Sequence, residues 1–303
     1  INCARGGIID DDALTAALKS GKCAGAALDV YVSEPPDFSH ELFSLPNVVT
    51  TPHLGASTEE AQTNVAIDVA EQIVDVFQGR SARSAVNMPA LTPETLAAVQ
   101  PYLPLAERMA SLAIQTTEGR PSQVEIRYCG ELASIDSGAI TRAVLTGLLR
   151  PMLGESVNSV NAPVIAKTRG IEVIESKQPD FGDYTSLLSI AIRTDKTYNE
   201  VSGTLFSAKD MRVVWMSGFP MDLVPEGIVL VAPHTDKPGI IGQVGTLLGN
   251  AGINIASMYV GRKTKTPGEN AIMTLTVDQE IPEDLVEKIT QIEGIDSARQ
   301  VVL

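Results

Sequence analysis

The chain is short of basic charge and of cysteine, and it has no long apolar run. Its 303 residues carry 23 Lys and Arg against 37 Asp and Glu, a formal net charge of −14. Sequence-independent binding to nucleic acid or to an anionic membrane needs a basic patch, so both are excluded as expected partners. The three cysteines, Cys3, Cys23 and Cys129, are odd in number and widely spaced. They build neither a disulfide framework nor a metal cluster, and a reduced compartment follows, the cytoplasm or an organelle. No stretch approaches membrane-spanning length. A Gly-x-Gly-x-x-Gly phosphate loop is missing as well. Gly239-Ile240-Ile241-Gly242-Gln243-Val244-Gly245 has the wrong glycine spacing for one. Finally, Ile1-Asn2-Cys3-Ala4 is neither an initiator methionine nor a signal peptide. It reads as the inside of a strand, and the chain is expected to be the back part of a longer one, any targeting segment being out of sight.

What is present is ordinary for a soluble globular protein: 44% apolar and 20% charged residues, in a chain long enough for two or three cores. Residues 1–57 alternate strand, helix, strand, strand. Ile1–Cys3 is a strand end, Asp10 and Asp12 start a helix through Ala13–Lys19, and Gly21 stops it. Ala24–Val30 is a continuous apolar run of the kind buried in a parallel sheet, and Val48–Thr51 is another strand ended by Pro52. Ser57-Thr58-Glu59-Glu60 is a capping-box pattern for a long helix with apolar Val65, Val69, Ile73, Val76 and Phe77. Gly79–Leu91 reads as a crossing between domains.

In the middle, helical patterns (Thr95–Ala98, Leu103–Ile114, Ala139–Leu148) alternate with strand patterns (Ser122–Tyr128, Ile171–Glu175, Ser186–Arg193, Thr197–Phe206, Met211–Met216), giving an independent α/β domain. Trp215 and Tyr128 read as core or near-core residues. After residue 225 the order is strand Ile228–Ala232, helix Ile241–Asn250, strands Ile255–Gly261 and Ala271–Val277, helix Glu283–Thr290 and strand Ile295–Val302. That is the βαββαβ order of a ferredoxin-like fold. The domain limits expected are 1–76, a crossover at 77–92, 93–224 and 225–303.

The chemistry sits in two motifs that hold two of the three histidines. Arg5 in Ala4-Arg5-Gly6-Gly7, Glu34 in Asp29-Val30-Tyr31-Val32-Ser33-Glu34-Pro35-Pro36, and His53 in Thr51-Pro52-His53-Leu54-Gly55-Ala56 each follow a strand-like run. Ligands gather beyond the carboxyl ends of strands in open α/β sheets. Arginine offers a rigid fork for a carboxylate, histidine moves a proton near neutral pH, and a neighbouring carboxylate favours the imidazolium. Taken singly, each has a bland reading: a surface arginine, a solvated loop acid, a helix-entry histidine. Their order and placement together point to function.

Residues 1–57 resemble the C-terminal part of the nucleotide-binding domain of the D-2-hydroxyacid dehydrogenases, on the strings Asn2-Cys3-Ala4-Arg5-Gly6-Gly7, Ala26-Ala27-Leu28-Asp29-Val30, Glu34-Pro35-Pro36 and Pro52-His53-Leu54-Gly55-Ala56. The resemblance implies a Rossmann-like parallel sheet and NAD as cofactor. It puts Arg5 on the substrate carboxylate, makes His53 the acid/base and pairs Glu34 with it. It further implies cofactor contacts from Cys3, Ala4 and Arg5, from Asp29 near the nicotinamide, and from His53, Leu54, Gly55 and Ala56. Glu34 favours hydroxy-acid chemistry over formate oxidation, where relatives carry an amide. The pyrophosphate loop and most of a substrate domain lie outside this sequence, so residues 1–303 alone are expected neither to bind NAD well nor to turn over.

The last module resembles an ACT domain, on Pro233-His234-Thr235-Asp236-Lys237-Pro238-Gly239-Ile240-Ile241-Gly242 and Gly252-Ile253-Asn254-Ile255-Ala256. In serine-sensing members, groups at the first loop and second strand hold the effector, which maps onto His234, Asp236 and Asn254. An amino-acid zwitterion needs an acceptor for its ammonium and donors for its carboxylate, and these side chains supply both. Pure assembly through edge strands stays open beside ligand binding. The middle region resembles the intervening domain of the family's long form, where an anion is held at a basic interface; Arg127, Arg142, Arg150, Lys167 and Arg169 are available, although any one of them also reads as part of a solvated face. The long form implies NAD-dependent oxidation of 3-phosphoglycerate to 3-phosphohydroxypyruvate at the start of L-serine synthesis, with serine as effector and a homo-oligomer as the working state. Two alternatives stay open: another small 2-hydroxy acid, or a non-catalytic amino-acid-sensing scaffold.

Overall fold

The computed structural model describes residues 1–77, 84–86, 93–179, 184–207, 210–264, 266 and 268–303. The expected crossing at 79–91 therefore lies outside the described residues except for 84–86. The chain divides into two compact units, Ile1–Ser84 and Ala85–Leu303.

In the first unit, Asp10 caps α1 (Asp11–Lys19) by accepting a hydrogen bond from the Ala13 amide at 2.8 Å, and acidic Asp11 and Asp12 favour the positive end of the helix dipole. Gly21 takes φ +73° and turns the chain away. The parallel strands β1 (Ala26–Leu28) and β2 (Val48–Thr50) pair from Ala26↔Val48 to Leu28↔Thr50. Both are shorter than their apolar runs, because past Leu28 and Thr50 the chain turns to side-chain bonding, with the Thr51 hydroxyl donating to Asp29. The expected first strand is a single parallel bridge, Asn2 to Leu28. Leu18, Leu28 and Leu42 form the small core, with Tyr31 and Val48 packed against it.

The helix α2 (Glu59–Phe77) starts one residue later than the capping-box pattern suggests. Thr58 accepts from the Ala61 amide at 3.1 Å, while Ser57 donates to the His53 carbonyl. Val65, Val69, Ile73, Val76 and Phe77 are all exposed. Helical spacing explains why α2 forms; it does not supply a surface to bury against.

The second unit begins with α3 (Pro93–Val99) and α4 (Tyr102–Gln115), followed by β3 (Pro121–Gly130), α5 (Gly138–Leu153), α6 (Ala162–Thr168) and β4 (Glu172–Gln178). The antiparallel run β5 (Ser186–Thr194), β6 (Tyr198–Ser207), β7 (Asp210–Met216) and β8 (Phe219–Leu223) completes a six-stranded sheet in the order β4-β3-β5-β6-β7-β8, parallel only between β3 and β4. Neither β8 nor α6 is expected from the sequence. Pro220 inside β8 reads as a breaker, yet edge positions tolerate it, and α6 is too short for a clear periodicity. Tyr128 is fully buried, as expected, whereas Trp215 is 41% exposed and belongs to no core cluster.

The remaining elements are β9 (Ile228–Thr235), α7 (Ile240–Asn250), β10 (Ile255–Arg262), β11 (Asn270–Val277), α8 (Glu283–Thr290) and β12 (Arg299–Val302). Their antiparallel sheet runs β10-β11-β9-β12, the ferredoxin-like arrangement. The last strand is shorter than its pattern, since Ile295 makes only an isolated bridge to His234. One sheet face, with Leu230, Met273 and Leu275, packs on Val244 and Leu248 of α7 and Leu285 and Ile289 of α8. The opposite face, with Val229, Val231, Ile272 and Val301, joins the core around Leu105, Met109 and Leu112 of α4. Both faces of the sheet are therefore covered along β9 and β11, while much of the edge strand β10 stays exposed. The Gln115 side chain fastens the junction by pairing with the Val302 backbone in both directions, at 3.0 and 3.2 Å. No described helix is long and apolar enough to cross a membrane.

Candidate active site

Three backbone segments, Asn2–Arg5, Asp29–Glu34 and Thr51–His53, leave the parallel ladder at the same end. The first is tied by Asn2, whose side chain donates to the Arg5 carbonyl at 3.0 Å and accepts from the Ala4 amide at 3.1 Å. Arg5 itself is exposed. Gly6 has a steric reason to be glycine: a Cβ there would lie 1.9 Å from the Tyr31 carbonyl oxygen.

The structure brings His53 and Glu34 together, with Nδ1 2.7 Å from Oε2. Glu34 also accepts from the Tyr31 amide at 3.2 Å through Oε1. These two hydrogen bonds, His53 first, hold the Glu34 carboxyl below its ordinary value, and the charges of His53 and Arg5 add to the effect. A carboxylate facing Nδ1 fixes that nitrogen as the donor, which leaves Nε2 to exchange a proton. Beside the pair lies a cavity of about 440 Å³ lined by Tyr31, Pro36, Phe38, Thr50 and Pro52 as well as Glu34 and His53.

His53 takes φ +57°, an unusual conformation for a residue other than glycine. Asp29 holds it there. Its carboxylate accepts from the Thr51 hydroxyl at 2.5 Å and from the Leu54 and Gly55 amides at 2.8 and 3.0 Å. These donors, Thr51 foremost, keep Asp29 below the usual carboxylate range. Three of its roughly four acceptor positions are thus taken by the loop that carries His53. Cys3, Ala4, Leu54, Gly55 and Ala56 are exposed on the loops around this strand end. Asn2, Tyr31 and Thr51 were not singled out from the sequence. Asn2 is a polar residue inside an apolar strand end, and that mismatch was the available signal.

The other candidate trio is not brought together within one chain. His234 is buried, with Nδ1 3.1 Å from the Ala232 carbonyl. Asp236 is already engaged by Arg262, with Nε–Oδ2 3.0 Å and Nη2–Oδ1 3.1 Å. Asn254 donates instead to Asp278 at 2.7 Å. His234 faces Ala271 across β9 and β11, while Ile255 faces Val277 across β10 and β11. Six residue steps along β11 separate these ends, roughly 20 Å. Of the middle-domain cations, Arg127 pairs with Glu200 at 3.5 Å, Arg142 donates to the Ser159 carbonyl at 3.1 Å and Arg150 pairs with Glu107. Lys167 and Arg169 are exposed.

Family models account for all three regions. Residues 1–55 match the D-isomer specific 2-hydroxyacid dehydrogenase NAD binding domain, residues 98–217 the D-3-phosphoglycerate dehydrogenase intervening domain, and residues 229–294 the ACT domain. The D-3-phosphoglycerate dehydrogenase of Synechocystis sp. is 45% identical over 304 residues, covering 100% of this chain and 54% of the relative. The enzyme of the same name from Methanocaldococcus jannaschii is 44% identical over 295 residues, 97% of this chain and 55% of the relative. The chain thus spans about half the length of the curated relatives it matches. A solved D-isomer specific 2-hydroxyacid dehydrogenase from Xanthobacter autotrophicus Py2, in complex with NADPH and MES, is 37% identical and covers 27% of this chain and 33% of that one, at a TM-score of 0.24.

Proposed function

Because the chain belongs to the D-isomer-specific 2-hydroxyacid dehydrogenase family, in the long form with an intervening and an ACT domain, we propose that it supplies the proton-transfer machinery and the regulatory tail of an enzyme oxidising 3-phosphoglycerate to 3-phosphohydroxypyruvate, the first step of L-serine synthesis. The observation that carries this reading is the His53–Glu34 pair at 2.7 Å, beside a cavity at the strand ends. A pure scaffold has no use for it.

The cofactor is NAD. The exposed residues Cys3, Ala4, Leu54, Gly55 and Ala56 leave the strand end open to the nicotinamide end of a dinucleotide. Among the described residues no Gly-x-Gly-x-x-Gly strand-turn-helix is present to hold its pyrophosphate. Bound NAD would supply the acceptor for the hydride from C2 of the hydroxy acid. His53 Nε2 takes the hydroxyl proton as the carbonyl forms, and Glu34 steadies the resulting imidazolium through Nδ1. Arg5 grips the substrate carboxylate with its guanidinium fork, fixing C2 relative to His53. Asp29 contributes by holding the His53–Gly55 loop.

L-Serine is the effector in this reading, and the working state is a homo-oligomer in the cytoplasm. One chain cannot close His234, Asp236 and Asn254 around an amino acid. A second copy pairing antiparallel along β10 about Met258 would set its own Asn254 opposite Arg262, the partner of Asp236.

The test is NADH production from 3-phosphoglycerate by the protein in its full length, with and without millimolar L-serine. Turnover depressed by serine is expected. Turnover indifferent to serine would reduce His234, Asp236 and Asn254 to assembly roles, and no turnover by folded protein would refute the catalytic reading.

A further inference from the structure

We infer that Tyr31 is the positioning residue that ties Arg5, Glu34 and His53 into one frame. The inference rests on the catalytic reading above, and it comes from three contacts made by a single residue. Its carbonyl oxygen is the surface on which Gly6 sits, so it sets how close the Arg5 loop approaches. Its amide donates to Glu34 Oε1 at 3.2 Å, the oxygen not used by His53. Its hydroxyl reaches past β1 to the Thr51 carbonyl at 2.8 Å, two residues before His53, with the Leu28 carbonyl at 3.1 Å sharing the same proton.

The ring is itself held. It packs against Phe43 with centroids 5.7 Å apart at 48°, and Phe38 lies against the far side of Phe43 at 5.4 Å. Burial pushes the phenol above its ordinary value, so it remains a hydrogen-bond donor throughout the working range. The charged and titratable groups around the frame are Arg5, Asp29, Glu34 and His53, and Tyr31 touches the loop of each. Asp29 fixes the His53 loop from the Leu54 and Gly55 side, and Tyr31 fixes it from the Thr51 side. Between them the two residues set where His53 stands.

Tyr31→Phe keeps the ring and both backbone contacts and removes only the hydroxyl, with its links to the Thr51 and Leu28 carbonyls. In the full-length protein it should lower kcat about tenfold, equivalent to about 1.4 kcal/mol of transition-state stabilisation, with KM for 3-phosphoglycerate within about twofold. The His53 Nδ1–H proton signal in NMR, assigned by its loss in His53→Asn, should broaden through faster exchange. A second variant, Phe43→Leu, frees the ring without touching a bonded group and should move both readouts the same way by less. It decides the matter if Tyr31→Phe does not fold. An unchanged kcat, or a lower kcat with an unaltered His53 signal, would overturn the inference and leave Tyr31 as packing. If the unmodified protein does not oxidise 3-phosphoglycerate, the catalytic reading has failed, and the His53 signal still settles whether Tyr31 positions that side chain.

Discussion

His53 and Glu34 lie 19 residues apart in the chain and 2.7 Å apart in space. His234 and Asn254 have nearly the same separation in sequence and sit at opposite ends of β11. The contrast follows from where each residue stands relative to its strand. β1 and β2 are parallel, and Glu34 and His53 both come after a strand, so both emerge at the carboxyl end. β9 and β10 also run in the same direction, since each is antiparallel to the β11 between them. However, His234 closes β9 while Asn254 precedes β10. For strands that run the same way, a motif after one and a motif before the other lie at opposite ends of the sheet. The first pair is formed within a single chain, whereas the proposed effector site would draw on two copies.

Mixing experiments break or sharpen that comparison, the largest effect first. His53→Asn should cost about 10²- to 10⁴-fold in kcat, the usual scale for a general base. Oligomers reassembled from His53→Asn and Glu34→Gln copies should show no more than the average of the parents, because both groups belong to one chain. Recovered activity would mean that the pair is shared between copies. Glu34 also fixes a pH window. Its carboxyl lies below its ordinary 4.5 in the folded protein, so the pairing energy is fully present above pH 4.5. It is lost as pH falls through the lower folded value. A Glu34 carboxyl ¹³C signal that titrates above 4.5 would contradict the geometry.

For the effector residues the expectation is the reverse. His234→Ala and Asn254→Ala should each abolish serine inhibition alone, and mixed oligomers should regain part of it. A pair with one copy of each kind keeps one site with His234 and Asn254 both intact. No recovery would confine the effector to one chain or remove it from this edge altogether.

Much of this was legible before any coordinates. The βαββαβ order was read from alternation and helical spacing, and α8 begins and ends where the pattern does. The three chemical residues were found because each follows an apolar run, a signal that parallel sheets make dependable. What sequence could not carry were contacts with no periodicity. Asn2 and Thr51 bond to neighbouring loops, and the Tyr31 hydroxyl crosses 20 residues to reach Thr51. The covered second face of the β9–β12 sheet was invisible for the same reason, because Val229 and Val301 find their cover in α4, more than 100 residues earlier. Strand ends were the least readable: Ile295 has the apolarity of β12 but faces His234 alone.

The smallest effect tests that covered face directly. Thr274 lies on β11 opposite Val231, on the side turned to α4, and its hydroxyl is buried with no hydrogen-bond partner among the described residues. An unsatisfied hydroxyl in an apolar contact costs about 1 kcal/mol or more, and a methyl in its place removes that cost with little change in shape. Thr274→Val should therefore raise the thermal midpoint by about 2–4 °C for a unit of this size, while serine inhibition stays as it was, since neither His234 nor Asn254 touches that face. A lowered midpoint would mean that the hydroxyl is bonded and that the junction between the two sheets is wet. The shared core would then be a looser joint, and the ACT sheet could move on α4 when the effector binds.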